Sequence, residues 1–154
     1  MTRKLLLLLM LILVVALSGC SYRYEFVVIN KSDGSIEVQY KLKRHTPETP
    51  GKYVDINAPA KVNLKEFEKA EYHWRNLPKE EYQFDNPTGT FTVSLGPDEV
   101  LLLDYTSNYS GDENQFHLAS IKISGANGLI DLEGKQAQTQ FRIESDTKYV
   151  LRYR

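Results

Sequence analysis

The strongest constraint on the fold is a strict alternation of apolar and polar residues in the stretch SIEVQYKLK. The apolar side chains Ile36, Val38, Tyr40 and Leu42 are separated by charged and amide side chains. In a β-strand, successive side chains point to opposite faces, so this period of two places all four apolar residues on one face. The stretch therefore predicts a strand with one buried face.

A second strand-like run precedes this one. Residues 24–30, YEFVVIN, are rich in β-branched and aromatic residues, which favour strands. The connecting residues contain Asp33-Gly34, a strong turn signal between two strands. The sequence therefore predicts a hairpin formed by residues 24–30 and 35–43.

The second half of the chain repeats this pattern. Residues 90–95 alternate, Gly96-Pro97-Asp98 predicts a turn, and residues 100–105 are nearly all apolar, as in a central strand. Further strand-like runs occupy residues 116–124, 129–132, 139–144 and 149–153. Many short strands with close turns indicate an antiparallel sandwich or barrel. We expect an all-β antiparallel sandwich of the immunoglobulin-like type, although the Cys and Trp markers of antibody domains are absent.

Residues 44–88 differ from the rest and predict an insertion that is rich in proline and contains a helix. Five of the six prolines lie here: Pro47, Pro50, Pro59, Pro78 and Pro87. Asn63 and Glu66 form a capping-box pattern. An apolar stripe follows at helical spacing, made of Phe67, Ala70, Trp74 and Leu77. With Glu71 and Arg75 as an i,i+4 pair, the segment 63–77 predicts a helix of about three turns. Trp74 is expected in the core, and Tyr72 on the exposed side.

The first twenty residues predict a secretory signal. Arg3 and Lys4 precede an unbroken apolar run at residues 5–17. As a helix this run spans ~20 Å, too short for a hydrocarbon core of ~30 Å, and it is typical of a signal peptide.

Leu17-Ser18-Gly19-Cys20 then resembles the lipobox of bacterial lipoproteins, and it contains the only cysteine of the chain. The resemblance implies a signal peptide at residues 1–19, cleavage between Gly19 and Cys20, and a lipid on the Cys20 sulfur. A plain signal peptide or an uncleaved anchor are the alternatives. Ser21, where an aspartate would imply inner-membrane retention, implies the outer membrane, facing the periplasm. Residues 20–23 would then be a short tether, and residues 24–154 a single domain.

Charge and motifs exclude several functions. Without Arg3 and Lys4, 17 basic residues stand against 20 acidic ones, which argues against a nucleic-acid partner. No phosphate-binding GxxxxGK[ST], dinucleotide-binding GxGxxG or nucleophile-elbow GxSxG motif is present. The three histidines, His45, His73 and His117, lack metal-ligand spacing. We therefore predict no enzyme activity, no cofactor and no metal, while a hydrolase with a dispersed site stays an alternative.

The candidate binding residues lie in DYTSNYSGDENQ, residues 104–115. Tyr105 and Tyr109 offer aromatic faces, while Asn108 and Asp112 offer polar groups. Aromatic rings cover the C–H surface of a sugar or peptide, and polar groups set its orientation. An ordinary connecting loop is the alternative interpretation, and the oxygen-rich composition also suits calcium, without the EF-hand spacing.

These features predict a membrane-anchored lipoprotein with a non-enzymatic role, in which the domain binds an envelope protein. The alternative is a module that binds glycan or peptidoglycan fragments through residues 104–115. The basic cluster Lys41, Lys43 and Arg44 is expected either to touch anionic headgroups or to be a solvated strand face.

Overall fold

The structure is a computed structural model, and it describes residues 22–43 and 58–154. This part of the chain contains two β-sheets, one of six strands and one of five. In chain order the strands are β1 (Arg23–Asn30), β2 (Ile36–Leu42), β3 (Ala60–Asn63), β4 (Arg75–Asn76), β5 (Tyr82–Asp85), β6 (Thr90–Leu95), β7 (Glu99–Ser107), β8 (Leu118–Gly125), β9 (Gly128–Glu133), β10 (Arg142–Ser145) and β11 (Lys148–Tyr153). The helices are α1 (Leu64–Phe67) and α2 (Gly134–Gln140), with 3-10 turns at Lys79–Glu81 and Glu113–Gln115.

The larger sheet has the order β10-β11-β1-β7-β3-β4, and the smaller sheet has the order β5-β6-β2-β8-β9. Neighbouring strands are antiparallel except β1 and β11, which are parallel over six residue pairs. The architecture is therefore mostly β and sandwich-like, as the alternation predicts.

The main core lies between the two sheets. Phe26 and Val28 of β1 face it, as do Val38 and Tyr40 of β2, and all four are buried. The opposite face of the larger sheet is also covered, because Val27 and Ile29 of β1 pack against α1 in a second apolar cluster. Strand β1 is thus buried on both faces, which explains its continuous apolar run.

The predicted hairpin of residues 24–30 and 35–43 is wrong, because β1 belongs to the larger sheet and β2 to the smaller one. The fully buried Asn30 stabilises the connection in which the chain passes from the larger sheet to the smaller one. Its side-chain Nδ2 donates to the carbonyl oxygens of Gly34 (2.8 Å) and Leu95 (2.9 Å). Its Oδ1 accepts a hydrogen bond from the backbone N–H of Ser32 at 3.0 Å. The turn at residues 96–98 likewise leads from the smaller sheet to the larger one.

The predicted helix over residues 63–77 is correct only for its first turn. The Asn63 side chain caps α1 by accepting from the Lys65 N–H at 3.0 Å, but the helix ends at Phe67. Beyond it, Ala70 is exposed, and Arg75 pairs with Glu81 at 3.0 Å instead of with Glu71.

The continuation is extended because Tyr72 and Trp74 bind the same side chain, Glu25 of β1. Residues two positions apart share a face in extended chain and lie on nearly opposite sides of a helix. The expected burial of Trp74 is partly met, and Tyr72 is half-buried rather than exposed.

Two further differences concern the chain after residue 58. The predicted strand at 139–144 begins only at Arg142, because Thr139 belongs to α2. Residues 58–88 of the insertion supply β3 and β4 to the larger sheet and β5 to the smaller one. The predicted signal peptide, Cys20 and residues 44–57 of the predicted insertion lie outside the described residues. Within the described ranges, neither helix has the length and apolar character needed to cross a bilayer.

Candidate functional site

A β-bulge determines where Tyr105 points. Strand β7 runs to Ser107, so the first four residues of the predicted loop 104–115 are strand. Against β1, the register shifts between the pairs Phe26–Asp104 and Val27–Leu102, which leaves Leu103 unpaired. Such an extra residue exchanges the faces of the residues after it. Asp104 is therefore buried, and Tyr105 lies on the outer face of the larger sheet with 40% of its surface exposed.

The other predicted site residues lie elsewhere. Tyr109 is buried in the main core, where its ring meets Phe26 edge-on at 5.1 Å between centroids. Its hydroxyl accepts a hydrogen bond from Gln138 of α2. These contacts cover the ring, so Tyr109 offers no open aromatic face beside Tyr105.

Asn108 holds the chain before β1. Its φ of +53° is left-handed, a conformation that asparagine tolerates. Its backbone N–H donates to the Tyr22 carbonyl at 2.8 Å, and its Oδ1 accepts from the Tyr22 N–H at 3.1 Å. Asp112 is exposed, and its carbonyl accepts from the Gln115 N–H at 3.0 Å. The structure thus does not bring the four predicted residues together.

Tyr105 instead borders a groove of about 460 Å³ on the outer face of the larger sheet. Strands β1, β3 and β7 form its floor, and the extended residues 72–76 form a wall. Its polar and aromatic lining side chains are Arg23, Glu25, Tyr72, His73, Trp74, Asn76 and Tyr105. A volume of this size is within the range of ligand-binding clefts, ~300–1,000 Å³.

Glu25 is the central polar group of the groove and is only 8% exposed. Its carboxylate accepts hydrogen bonds from the Tyr72 hydroxyl and, at 2.9 Å, from the Trp74 indole Nε1. A buried carboxylate is costly unless it is paired and hydrogen-bonded, and these donors supply part of that compensation. Burial, and then the bond to Glu25, raise the pKa of Tyr72 far above its usual range, so its hydroxyl stays a donor at neutral pH.

Arg23 supplies positive charge on one side of Glu25. Its Nε lies 3.3 Å from the Glu25 Oε1, and its guanidinium carbon lies 4.0 Å from the centroid of the Tyr105 ring. A guanidinium above an aromatic face is attracted by the ring quadrupole. Arg23 and Tyr105 therefore form a flat, partly exposed rim of the groove.

Lys148 supplies positive charge on the other side. It stands opposite Glu25 in the parallel register of β1 and β11, just as Tyr105 stands opposite Glu25 in β7. The Lys148 Nζ lies 4.3 Å from the Phe67 ring centroid and donates to the Phe67 carbonyl at 3.0 Å. Lys148, Glu25 and Tyr105 thus form one row across three strands, and Arg23 lies two residues before Glu25 on the same face of β1. Both cations rest on aromatic rings.

A second polar pair lies at the start of β8, apart from the groove. His117 Nδ1 is 3.1 Å from Asp104 Oδ1, and the His117 backbone N–H donates to Asp104 Oδ2 at 3.1 Å. The side-chain hydrogen bond between His117 and Asp104 raises the pKa of His117 above its ordinary value. Across residues 22–43 and 58–154, no group of three or more His, Cys, Asp or Glu side chains is arranged to hold a metal ion.

Arg23, Glu25 and Asn76 were not among the predicted site residues, and Tyr72 and Trp74 were predicted to lie on a helix. A usable signal was present, because Glu25 interrupts an apolar strand and Arg23 shares its face by the period of two. The groove offers aromatic faces and planar hydrogen-bonding groups, which suit binding.

No family model, curated protein or solved structure matches this chain.

Proposed function

We propose that this protein is a lipid-anchored, non-enzymatic binding module of the bacterial cell envelope, and that its groove holds a segment of an envelope protein. The lipobox resemblance at residues 17–20 supports the anchor, with lipid on Cys20 and Ser21 favouring the outer membrane on its periplasmic side. Two acyl chains hold a protein stably at a bilayer. Strand β1, which carries Arg23 and Glu25, begins three residues after Cys20.

The observation that carries the protein-binding proposal is the composition of the groove. Tyr, Trp and Arg are the residues most enriched among those that dominate binding energy in protein interfaces. The groove presents Tyr105, Trp74 and Arg23 together around the buried Glu25. Hydrogen bonds and cation–ring contacts already fix these side chains, so binding costs less conformational entropy.

Site-specific crosslinking tests this proposal. A photo-crosslinking amino acid replaces Tyr105 in the full chain, and the control replaces Leu129, which is 58% exposed at the other end of the domain. We expect one dominant envelope protein to be crosslinked from position 105 and not from position 129. No adduct at position 105, or the same adducts at both positions, contradicts the proposal.

The second candidate function is glycan or peptidoglycan-fragment binding in the same groove. The partly exposed ring of Tyr105, with the Arg23 guanidinium stacked on it and the amide of Asn76 in the same groove, is a combination that also fits a sugar ring. Titration with soluble peptidoglycan fragments then quenches the fluorescence of Trp74, the only tryptophan, in a saturable way. Loss of this quenching in Tyr105→Ala, together with no crosslinked protein, selects the glycan function.

The immunoglobulin-like connectivity is part of the proposal for the domain. It is supported by two facing sheets. The chain passes from one sheet to the other after Asn30 and again at residues 96–98.

A further inference from the structure

The exposed large apolar side chains of the described residues are unevenly distributed. They are Tyr22, Tyr105, Leu129 and Ile143, with exposed fractions of 58%, 40%, 58% and 66%. Tyr22 directly precedes β1, and Tyr105 pairs with Glu25, the third residue of β1. Three of the four lie toward the end of the domain where β1 begins, which we call the β1-start end.

The strand register places Ile143 and Leu129 toward different ends. Ile143 pairs with Tyr149, which pairs with Phe26 near the start of β1. Leu129 pairs with Ser124, and Ser124 pairs with Glu37 near the start of β2. The chain reaches the start of β2 directly from the last residue of β1, so Leu129 lies at the end of the domain where β1 ends. Strand β1 has eight residues, so the two ends are ~26 Å apart at ~3.3 Å per residue.

Tyrosine is concentrated at the β1-start end. Behind Tyr22 and Tyr105, the half-buried Tyr24 and Tyr149 have ring centroids 6.3 Å apart, and Tyr109 lies 5.2 Å from Tyr149. With Tyr72, whose hydroxyl donates to Glu25, six of the nine tyrosines in residues 22–43 and 58–154 therefore lie here. Tyrosine is enriched where a protein meets the bilayer surface, because its ring suits the acyl boundary and its hydroxyl suits the headgroups.

The length of chain before β1 indicates what covers this end. Arg23 is three positions beyond Cys20, and extended chain covers at most ~3.6 Å per position, or ~11 Å in all. The headgroup region of one leaflet is about 5–8 Å thick. With a lipid on Cys20, the start of β1 therefore remains within a few ångströms of the headgroups.

From these observations we propose that the β1-start end is seated in the headgroup layer of the bilayer, with Tyr22 and Ile143 as its apolar contacts, while Tyr105 stays at the rim of the groove beside the lipid surface. This inference rests on the lipid anchor proposed above. It fixes one orientation of the domain, in which the arch after Asn30 and Leu129 point away from the membrane, and the groove opens beside the lipid surface.

The charges at this end indicate an attraction that does not depend on anionic lipid. Arg23 is committed to Glu25 and Tyr105, and Lys43 donates to the Glu113 carbonyl at 3.0 Å. Lys41 and Arg142 add two exposed cations at this end, and the exposed carboxylates of Asp112, Glu113 and Asp146 offset the positive charge. We therefore expect the same orientation on neutral and on anionic bilayers.

Fluorescent labels at single sites test the orientation. Cys20 is the only native cysteine, and its lipid blocks the sulfur, so an introduced cysteine takes one environment-sensitive fluorophore. Ser107→Cys and Ile143→Cys report on the β1-start end, and Leu129→Cys is the matched control. The full lipidated chain is reconstituted into phosphatidylcholine vesicles, with or without phosphatidylglycerol, which contain a lipid with a nitroxide on its headgroup.

We expect severalfold quenching at positions 107 and 143, little at position 129, and no dependence on phosphatidylglycerol. Equal quenching at all three positions, or stronger quenching at 129, overturns the orientation. Mass spectrometry of the same samples separates the two proposals. A lipidated Cys20 with even quenching refutes the orientation alone, whereas an unmodified Cys20 with no vesicle binding refutes the anchor and the orientation that depends on it.

Discussion

The Glu25 Oε1 accepts a hydrogen bond from the Trp74 indole Nε1 at 2.9 Å, although the two residues are 49 positions apart in the chain. This bond, together with the hydrogen bond from the Tyr72 hydroxyl to the same carboxylate, attaches residues 72–74 to the outer face of the larger sheet. They fix one wall of the groove to its floor. Glu25 is therefore expected to be important both for stability and for the shape of the site.

Replacing Glu25 by alanine is expected to lower the free energy of unfolding by about 2–4 kcal/mol. The change removes the acceptor of the half-buried Tyr72 hydroxyl and Trp74 N–H, and a hydrogen bond to a charged group contributes ~1.5–3 kcal/mol. Urea unfolding measures the loss, and the emission of the only tryptophan reports whether its indole has become more exposed.

The control for this change is Glu37→Ala. Glu37 is exposed, and its carboxylate accepts only a local hydrogen bond from Gln39 at 2.8 Å, so a change within ~0.5 kcal/mol is expected. If Glu25→Ala is no more destabilising than Glu37→Ala and leaves the Trp74 emission unchanged, the attachment of residues 72–74 does not depend on Glu25.

Replacing Tyr105 by alanine is expected to weaken partner binding tenfold or more while it leaves the fold intact. Tyr105 is 40% exposed and contacts Arg23 at the groove rim, so the loss in stability should stay near ~1 kcal/mol. An aromatic contact at the centre of an interface commonly contributes about 2 kcal/mol or more to binding.

A titration of the purified partner, or of the glycan fragments, against wild type, Tyr105→Ala and Leu129→Ala measures this effect. Leu129 is an exposed apolar residue, 58% against 40% for Tyr105, at the opposite end of the domain. Equal affinities for all three proteins would show that the binding surface lies elsewhere.

The pair of His117 and Asp104 is expected to make stability depend on pH. Because the pKa of His117 is raised in the folded state, the folded protein holds this proton more tightly than the unfolded chain. The stabilisation is complete below the unfolded-state value, ~6.5, and is lost as the pH rises through the folded-state pKa. In Asp104→Asn, the pKa of His117 should fall, since the hydrogen bond to the carboxylate is its main cause.

Proton NMR titration of His117 and urea unfolding at several pH values measure both effects. His117→Gln serves as the reference, because it lacks the titrating group and should lose this part of the pH dependence. An unchanged pH profile in both variants would assign the dependence to other groups.

Adding a methyl group at Gly125 is expected to cost about 1–3 kcal/mol. A Cβ at this position would lie 2.8 Å from the Ile36 Cγ2 and 2.8 Å from the Tyr153 hydroxyl, which donates to the Gly128 carbonyl. At Gly34, by contrast, a Cβ would meet no atom within 4 Å. Gly34→Ala should therefore be neutral or slightly stabilising in thermal unfolding. Similar midpoints for both variants would mean that the packing around Gly125 gives way easily.

The strands could be predicted because the alternation of apolar and polar residues indicates which face of a strand is buried. This burial depends little on which strand is its hydrogen-bonded neighbour. Residues 36–42 have one buried face in the smaller sheet, just as they would in a hairpin with β1. The partner of β2 could not be predicted in this way. It depends on the buried amide of Asn30, whose bond to Leu95 joins residues 65 positions apart.

The site was harder to predict than the fold for the same reason. Local spacing favours a long helix through Tyr72 and Trp74, and only the distant Glu25 explains why the chain is extended there. The loop 104–115 contained one residue of the groove, Tyr105. The bulge at Leu103 turns that residue outward, and no residue type in β7 marks the bulge.

The parallel pairing of β1 and β11 has a mechanical consequence. Six residue pairs join these strands, from Glu25–Lys148 to Asn30–Tyr153. A pull on the start of β1, opposed by a pull on the end of β11, acts along the strands and loads the hydrogen bonds between them in shear. These bonds then share the load and must break together, whereas a hairpin pulled at its open end unzips one bond after another. The geometry therefore resists a force that pulls the start of β1 and the end of β11 in opposite directions.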